Sequence, residues 1–371
     1  MRTRATRGAD ARHVTGAERA ARVLAGAVLA TVVVALLAGP AGACGGLVGE
    51  NGTIRLERTA TLAAYHDGVE RYVTSFEFSG EGKAVGSIVP LPDVPTDVER
   101  GGDWTLQRLE REVAPPVRSG FAEDRAVASA SSAQVLLQTQ VDALDITILK
   151  GGGDEVGKWA LDNGFFLSPD APEVLDYYAS RSPIFMAAKF DASRAAALGQ
   201  TSGQGTPIML TIPTSEPWVP VRILALGLDS SEQVQADVFL LTDDKPKLLA
   251  GGKGLGIDRS EAASALLLSD LRSDKGMGWV PDSMWFSYLK VDATAGQLGY
   301  DLAISHDGTT LPSIERAGIS APQARLIEPP SRGLPMWPIG LGLASGTAAV
   351  VAVLVSRHQR AGRGVVAGGA A

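Results

Sequence analysis

The chain has 371 residues, with 34 Lys and Arg, 41 Asp and Glu, a formal charge of −7 and one cysteine. A single cysteine excludes an intrachain disulfide, so an ordinary apolar core must hold the fold. Residues 1–43 and 334–371 hold nine of the bases and two of the acids, leaving 44–333 with 25 bases, 39 acids and a net −14. Such a surface repels nucleic acid and anionic headgroups, which excludes a nucleic-acid partner.

In chain order, the first 22 residues carry six arginines, and 23–38 (VLAGAVLATVVVALLA) carry no charge. Ala41-Gly42-Ala43 follows as a small-residue cleavage site, so 1–43 reads as a signal peptide, helical in its apolar part, cut between Ala43 and Cys44. An uncleaved anchor is the alternative. Ala41 stands where a lipobox prefers Leu, which favours an unmodified Cys44.

"TIRLERTATLAAY" and "VERYVTSFEF" flank His66-Asp67-Gly68, a hairpin signal. "AVGSIV" reads as a third strand, ended by Pro90, Pro92 and Pro95. "DWTLQRLEREVAPP" reads as a helix capped by Asp103. The Ala/Ser-rich stretch near 119–133 is a candidate internal boundary.

Strand "LDITILKG" then leads to a short helix capped by Asp154 and closed at Asn163-Gly164. A helix over "SPDAPEVLDYYASR" has Asp170 and Glu173 at capping-box spacing. "PIFMAAKF", "TPIMLTIP", "VPVRILALGL" and "VQADVFLLT" read as strands, with short polar turns that favour antiparallel pairing. A helix is expected from Asp258 to Gly276, then strands in "SMWFSYLKV" and "GYDLAISHDGTTLP". Residues 313–333 read as a stalk. Residues 334–356 are apolar, with Trp337 at one edge and Arg357, His358, Arg360 and Arg363 beyond. That pattern predicts a membrane helix with a cytoplasmic tail, 357–371.

"GGGDEVGKW" (151–159) comes within one residue of a phosphate-cradling loop. Trp159 occupies the Ser/Thr position that would hold Mg²⁺, and Asp154 and Glu155 put two negative charges where phosphate would lie. A turn and helix start with Trp159 packed on the preceding strand is the simpler reading. His66 and His306 both sit in His-Asp-Gly turns, outside any metal-ligand spacing. No nucleophile motif occurs, and loop acids such as Asp243-Asp244 are ordinarily solvated. No catalytic, metal or cofactor-binding residue is assigned.

Three blocks carry a family resemblance: "ACGG" with "SIVPLPDVPTDVE", "LDITILKGGGDEVGKWALDNGFFLSPDAPEVLDYYASRSPIFMAAKF", and "TPIMLTIPTSEPWVPVRILALG". Together they resemble the bacterial DUF2330 family of uncharacterised envelope proteins. The resemblance implies a signal peptide, an extracytoplasmic domain and a C-terminal anchor, and makes Trp159–Gly164 a family helix-and-turn element. Ser87-Ile88-Val89 departs from the tryptophan that family members carry before Pro-x-Pro. The resemblance supplies no catalytic residue.

The expected architecture is α+β: a mostly antiparallel domain over 44–312 with a few short helices, flanked by a signal helix and a transmembrane helix. The expected role is a binding, interaction or structural module at a bacterial cell membrane, with an unknown envelope partner; an extracytoplasmic hydrolase is the alternative. Candidate interaction residues are Asp93 in "PLPDVP", Trp104, and Trp218 in "SEPWVP", although large aromatics are more often core.

Overall fold

In the computed structural model, which describes residues 46–49, 55–79, 84–114, 134–198 and 206–329, β2 (Arg55–His66) and β3 (Val69–Ser79) pair antiparallel with His66 opposite Val69. Asp67 and Gly68 between them have φ of 51° and 77°. A two-residue type I′ turn needs positive φ at both positions, and Asp and Gly tolerate it best.

This hairpin lies inside a seven-stranded sheet. Its order is β13 (Leu255–Ala262), β14 (Trp285–Thr294), β11 (Gln233–Thr242), β2, β3, β9 (Ile208–Pro213) and β5 (Asp97–Arg100). A five-stranded antiparallel sheet runs β1 (Gly46–Gly49), β4 (Ala84–Pro90), β8 (Ile184–Asp191), β7 (Leu144–Lys150) and β6 (Gln134–Val141). A smaller one runs β10 (Trp218–Val219), β15 (Leu302–Ser305), β12 (Lys247–Ala250) and β16 (Arg325–Leu326). The one parallel neighbour pair among these strands is β11 with β2. The fold is therefore α+β and mostly antiparallel, as expected.

One apolar cluster joins all three sheets, through Ala63, Tyr72 and Val238, through Ile146, Ile148 and Met186, and through Leu248 and Leu302. The opposite face of the seven-stranded sheet, with Leu62, Phe239 and Leu241, is covered by α1 (Thr105–Val113) and α5 (Ala265–Arg272) through Leu106, Leu109, Leu267, Leu268 and Leu271. The opposite face of the five-stranded sheet, with Ile88, Leu149 and Phe185, packs on α2 (Gly153–Asp162) and α3 (Ala171–Ala179) through Val156, Trp159, Leu175 and Tyr178. Each such side chain, fully buried, contributes about 1.5–3 kcal/mol.

Helix starts differ from expectation. Asp103 pairs with Arg100 and does not cap α1. The cap comes from Asp274, whose Oδ2 accepts from Trp104 N (3.2 Å), Thr105 N (2.8 Å) and Thr105 Oγ1 (2.7 Å). Gly102 permits this approach, since a Cβ there would lie 2.0 Å from that oxygen. At α2, Glu155 Oε2 accepts from Gly152 N at 2.6 Å, and Asp154 lies within the first turn. Asp170 accepts from Gly227 N and Glu173 pairs with Arg222, so no capping box forms at α3.

Residues 258–262, expected as helix, continue β13. Leu255 and Ile257 are buried while Gly256 and Asp258 are exposed, a period of two that only a strand satisfies. The helix begins at Ala265, with Ser264 Oγ accepting from Leu267 N. "VPVRILALGL" forms a 3₁₀ turn over Arg222–Ala225 in place of a strand. The segment read as a stalk follows the domain as far as it is described. Ala317 is fully buried, and β16 pairs with β12.

The expected signal helix, the Ala43–Cys44 junction, the 119–133 boundary and the 334–356 membrane helix lie outside the described residues. No helix among the described residues is long and apolar enough to cross a membrane.

A candidate ligand-binding cavity

Strands β6, β7 and β8 set a polar row on the face that packs against α2. Their register places Gln140 opposite Asp145 and Asp145 opposite Lys189, with Gly86 of β4 next across. Gln138 and Thr147 lie opposite each other on the same face, two residues along. A positive φ of 48° at Asp142 closes the β6–β7 turn and fixes that register.

Helix α2 supplies the wall. Trp159 is 2 % exposed and stacks on Phe165, with ring centroids 6.2 Å apart. The tip of the Phe165 ring lies against Gly86, where a Cβ would come within 2.7 Å of it. Asn163 Nδ2 donates to Trp159 O at 2.9 Å, and Lys189 Nζ donates to Asn163 O at 3.0 Å. The ammonium sits 5.5 Å from the Phe165 ring centroid. From α4 (Ala192–Ala197), Arg194 Nη2 donates to both Asp145 oxygens, at 3.0 and 3.2 Å.

The result is a cavity of about 270 Å³, lined by Gln138, Gln140, Asp145, Thr147, Trp159 and Lys189, with Asn163 beside them. Burial is the main cause that raises the Asp145 pKa, and Arg194 and Lys189 oppose it. Burial likewise lowers the Arg194 pKa, with Asp145 and Asp191 opposing. The indole N–H of Trp159 is buried without an acceptor in the protein. Neither histidine nor cysteine lines the cavity. Its chemistry is therefore recognition by hydrogen bonds: amides, an ammonium and a carboxylate.

The residues singled out in the sequence lie elsewhere. Trp218 is 1 % exposed and stacks on Tyr178 at 5.7 Å, inside the core around α3. Trp104 is half-buried at the start of α1. Asp93 is exposed, and its Oδ1 accepts from Val94 N at 2.7 Å. His66 pairs with Asp243 at 2.6 Å, and His306 stacks on Tyr65 at 4.1 Å. Among the described residues no group of three His, Cys, Asp or Glu gathers as a metal site.

Sequence reasoning passed over Gln138, Gln140, Asp145 and Lys189, which are brought together by pairing across three strands. The available signal was "QTQ" in β6 and the polar Asp145 and Thr147 in an otherwise apolar strand.

The crystal structure of baculovirus P35 is similar at a TM-score of 0.39 and 10 % identity, covering 68 % of this chain and 97 % of that one. No curated protein matches the chain. A family model described as an uncharacterised protein conserved in bacteria matches residues 38–244, a stretch that contains every residue lining the cavity. That match spans more than half of the sequence, and the chain belongs to the DUF2330 family of bacterial proteins.

Proposed function

We propose that this protein is a binding module of the bacterial envelope, held at the membrane by residues 334–356 and presenting its folded domain outside the cytoplasm. The observation that carries the binding role is the cavity beside α2, where Asp145 and Lys189 lie opposite each other across two strands among the amides of Gln138 and Gln140. Lys189 gives one of its three hydrogens to Asn163 O, and the Asp145 carboxylate meets Arg194, so both keep hydrogen-bonding capacity for a ligand. The location rests on the arginine-rich start, the uncharged run 23–38, the Ala41-Gly42-Ala43 site and the arginines after 356.

Hydrogen exchange of the full chain, with and without a low-molecular-weight envelope extract, tests the binding role. Slowed exchange confined to 138–147 and 159–164 is the expected result; no change there overturns it. Protease shaving of intact cells, with the mass of the mature N-terminus, tests the location. Digestion of 151–329 and a start at Cys44 are expected; protection until the membrane is opened overturns the orientation.

A further inference from the structure

We infer that the cavity takes a neutral, polyhydroxylated ligand the size of one sugar ring, an inference that rests on reading the cavity as the binding site. Charge is the first ground. The ionic groups that act on Asp145 are Arg194, Asp191 and Lys189. Two positive and two negative charges cancel, so the local field favours neither an anion nor a cation.

The second ground is the pattern of donors and acceptors. Trp159 lines the cavity, but its N–H is wholly covered and closed to a ligand. Lys189 gives one hydrogen to Asn163 O, and an ammonium has three. Asp145 receives Arg194 Nη2 on both oxygens and, as a carboxylate, has lone pairs left. Thr147 is 5 % exposed at the lining, and Gln138 and Gln140 add exposed amides. Donors and acceptors thus alternate along the row Gln140, Asp145, Lys189. A hydroxyl group matches such a row, because one oxygen accepts from the ammonium while its hydrogen goes to the carboxylate. A ligand that only accepts leaves the remaining lone pairs of Asp145 unused, and one that only donates leaves the remaining Lys189 hydrogens unused. Size is the third ground: about 270 Å³ falls just below the usual range of ligand pockets, about 300–1,000 Å³, and suits nothing larger than a single ring.

The full chain in detergent is titrated with glucose, galactose, mannose and N-acetylglucosamine, and separately with acetate, succinate and glycine, by saturation-transfer NMR and calorimetry. At least one sugar is expected to bind with a Kd of about 1 mM or tighter, as the atom count of one ring allows. Lys189→Met keeps the aliphatic stem on Phe165 and should weaken that binding about tenfold with an unchanged melting temperature. Gln140→Ala alters only an exposed side chain and should weaken it severalfold. If the sugars fail while acetate, succinate or glycine binds and Lys189→Met abolishes it, the cavity remains the binding site and the ligand class is overturned. If no probe binds, or binding ignores both substitutions, the cavity reading falls with it.

Discussion

Asp301 and Glu70 are both carboxyl groups with no exposed surface, and their surroundings treat them in opposite ways. Asp301 Oδ1 accepts from Tyr178 Oη (2.8 Å), Val221 N (2.7 Å) and Arg222 N (3.0 Å), and Oδ2 accepts from Arg181. Arg181 is itself nearly buried, with its guanidinium 3.6 Å from the Tyr177 ring centroid. Burial raises the Asp301 pKa, and Arg181 with the other donors pulls it back. Glu70, on β3 opposite Tyr65, has no hydrogen-bond partner on either oxygen. Burial pushes its pKa up to about 8, against a smaller lowering by the Trp218 main-chain N–H. One carboxylate has its water replaced by four donors; the other carboxyl keeps its proton instead. The first fastens α3 to the 3₁₀ turn at 222–225 and to the start of β15, whereas the second holds nothing.

Removing Asp301 should have the largest effect. Asp301→Ala strands a buried guanidinium and two main-chain N–H groups, so stability should fall by about 3–5 kcal/mol. The urea midpoint, with an unchanged slope, reads this. A loss below 1 kcal/mol would mean that the four donors find other acceptors, and the comparison would fail on its stronger side.

Glu70→Gln should act in the other direction. An unfolded Glu releases its proton near 4.5, while the folded one keeps it to about 8. Between these values the folded state binds the extra proton, so stability falls as pH rises, by about 1.4 kcal/mol per unit. Below 4.5 and above 8 this contribution is flat. Tyr65 and Asp243 share the region: burial, then Glu70 and Asp243, raise the Tyr65 pKa. At pH 7 the substitution should stabilise by about 3 kcal/mol and flatten the pH profile. A variant with the same slope as the parent places the titrating group elsewhere.

Asp274 sharpens the contrast, since it is 8 % exposed and is met by donors without a cation. Besides the start of α1, its Oδ1 accepts from Lys275 N at 2.9 Å. Asp274→Ala should lower stability by about 1–2 kcal/mol, the range for a lost helix cap, and should show in the urea midpoint as a smaller shift than Asp301→Ala.

These groups also show what the sequence can disclose. The Asp67-Gly68 turn was legible because its cause is local: two adjacent residues that accept positive φ. The turn after α2 was legible for the same reason, with Gly164 at φ 81°. The cap at α1 was not, because it reaches Thr105 from 169 residues away, and Asp103 offered a plausible local substitute. The alternation of Leu255 and Ile257 was masked by Asp258 and Glu261 at capping-box spacing, which tertiary pairing with β14 overrode. The cavity belongs with the cap. Gln140, Asp145 and Lys189 become neighbours only through strand register, which composition does not encode.

Lys158 supplies the smallest expected effect and the far end of the same scale. It pairs with Asp162 one turn along α2, both substantially exposed, and the lysine precedes the acid, the weaker orientation against the helix dipole. Lys158→Ala should therefore change stability by less than about 0.5 kcal/mol. It should also leave nucleotide binding unaltered, for reasons visible at the helix start. A phosphate loop offers main-chain N–H groups, yet Glu155 Oε2 already takes Gly152 N. The position that needs a hydroxyl holds Trp159, packed in the core. Calorimetric titration with Mg-ATP should give no heat for parent or variant. A Kd below about 1 mM that disappears in Lys158→Ala would require Glu155 to swing out and yield its amide to phosphate, and would make the exposed pair the functional one.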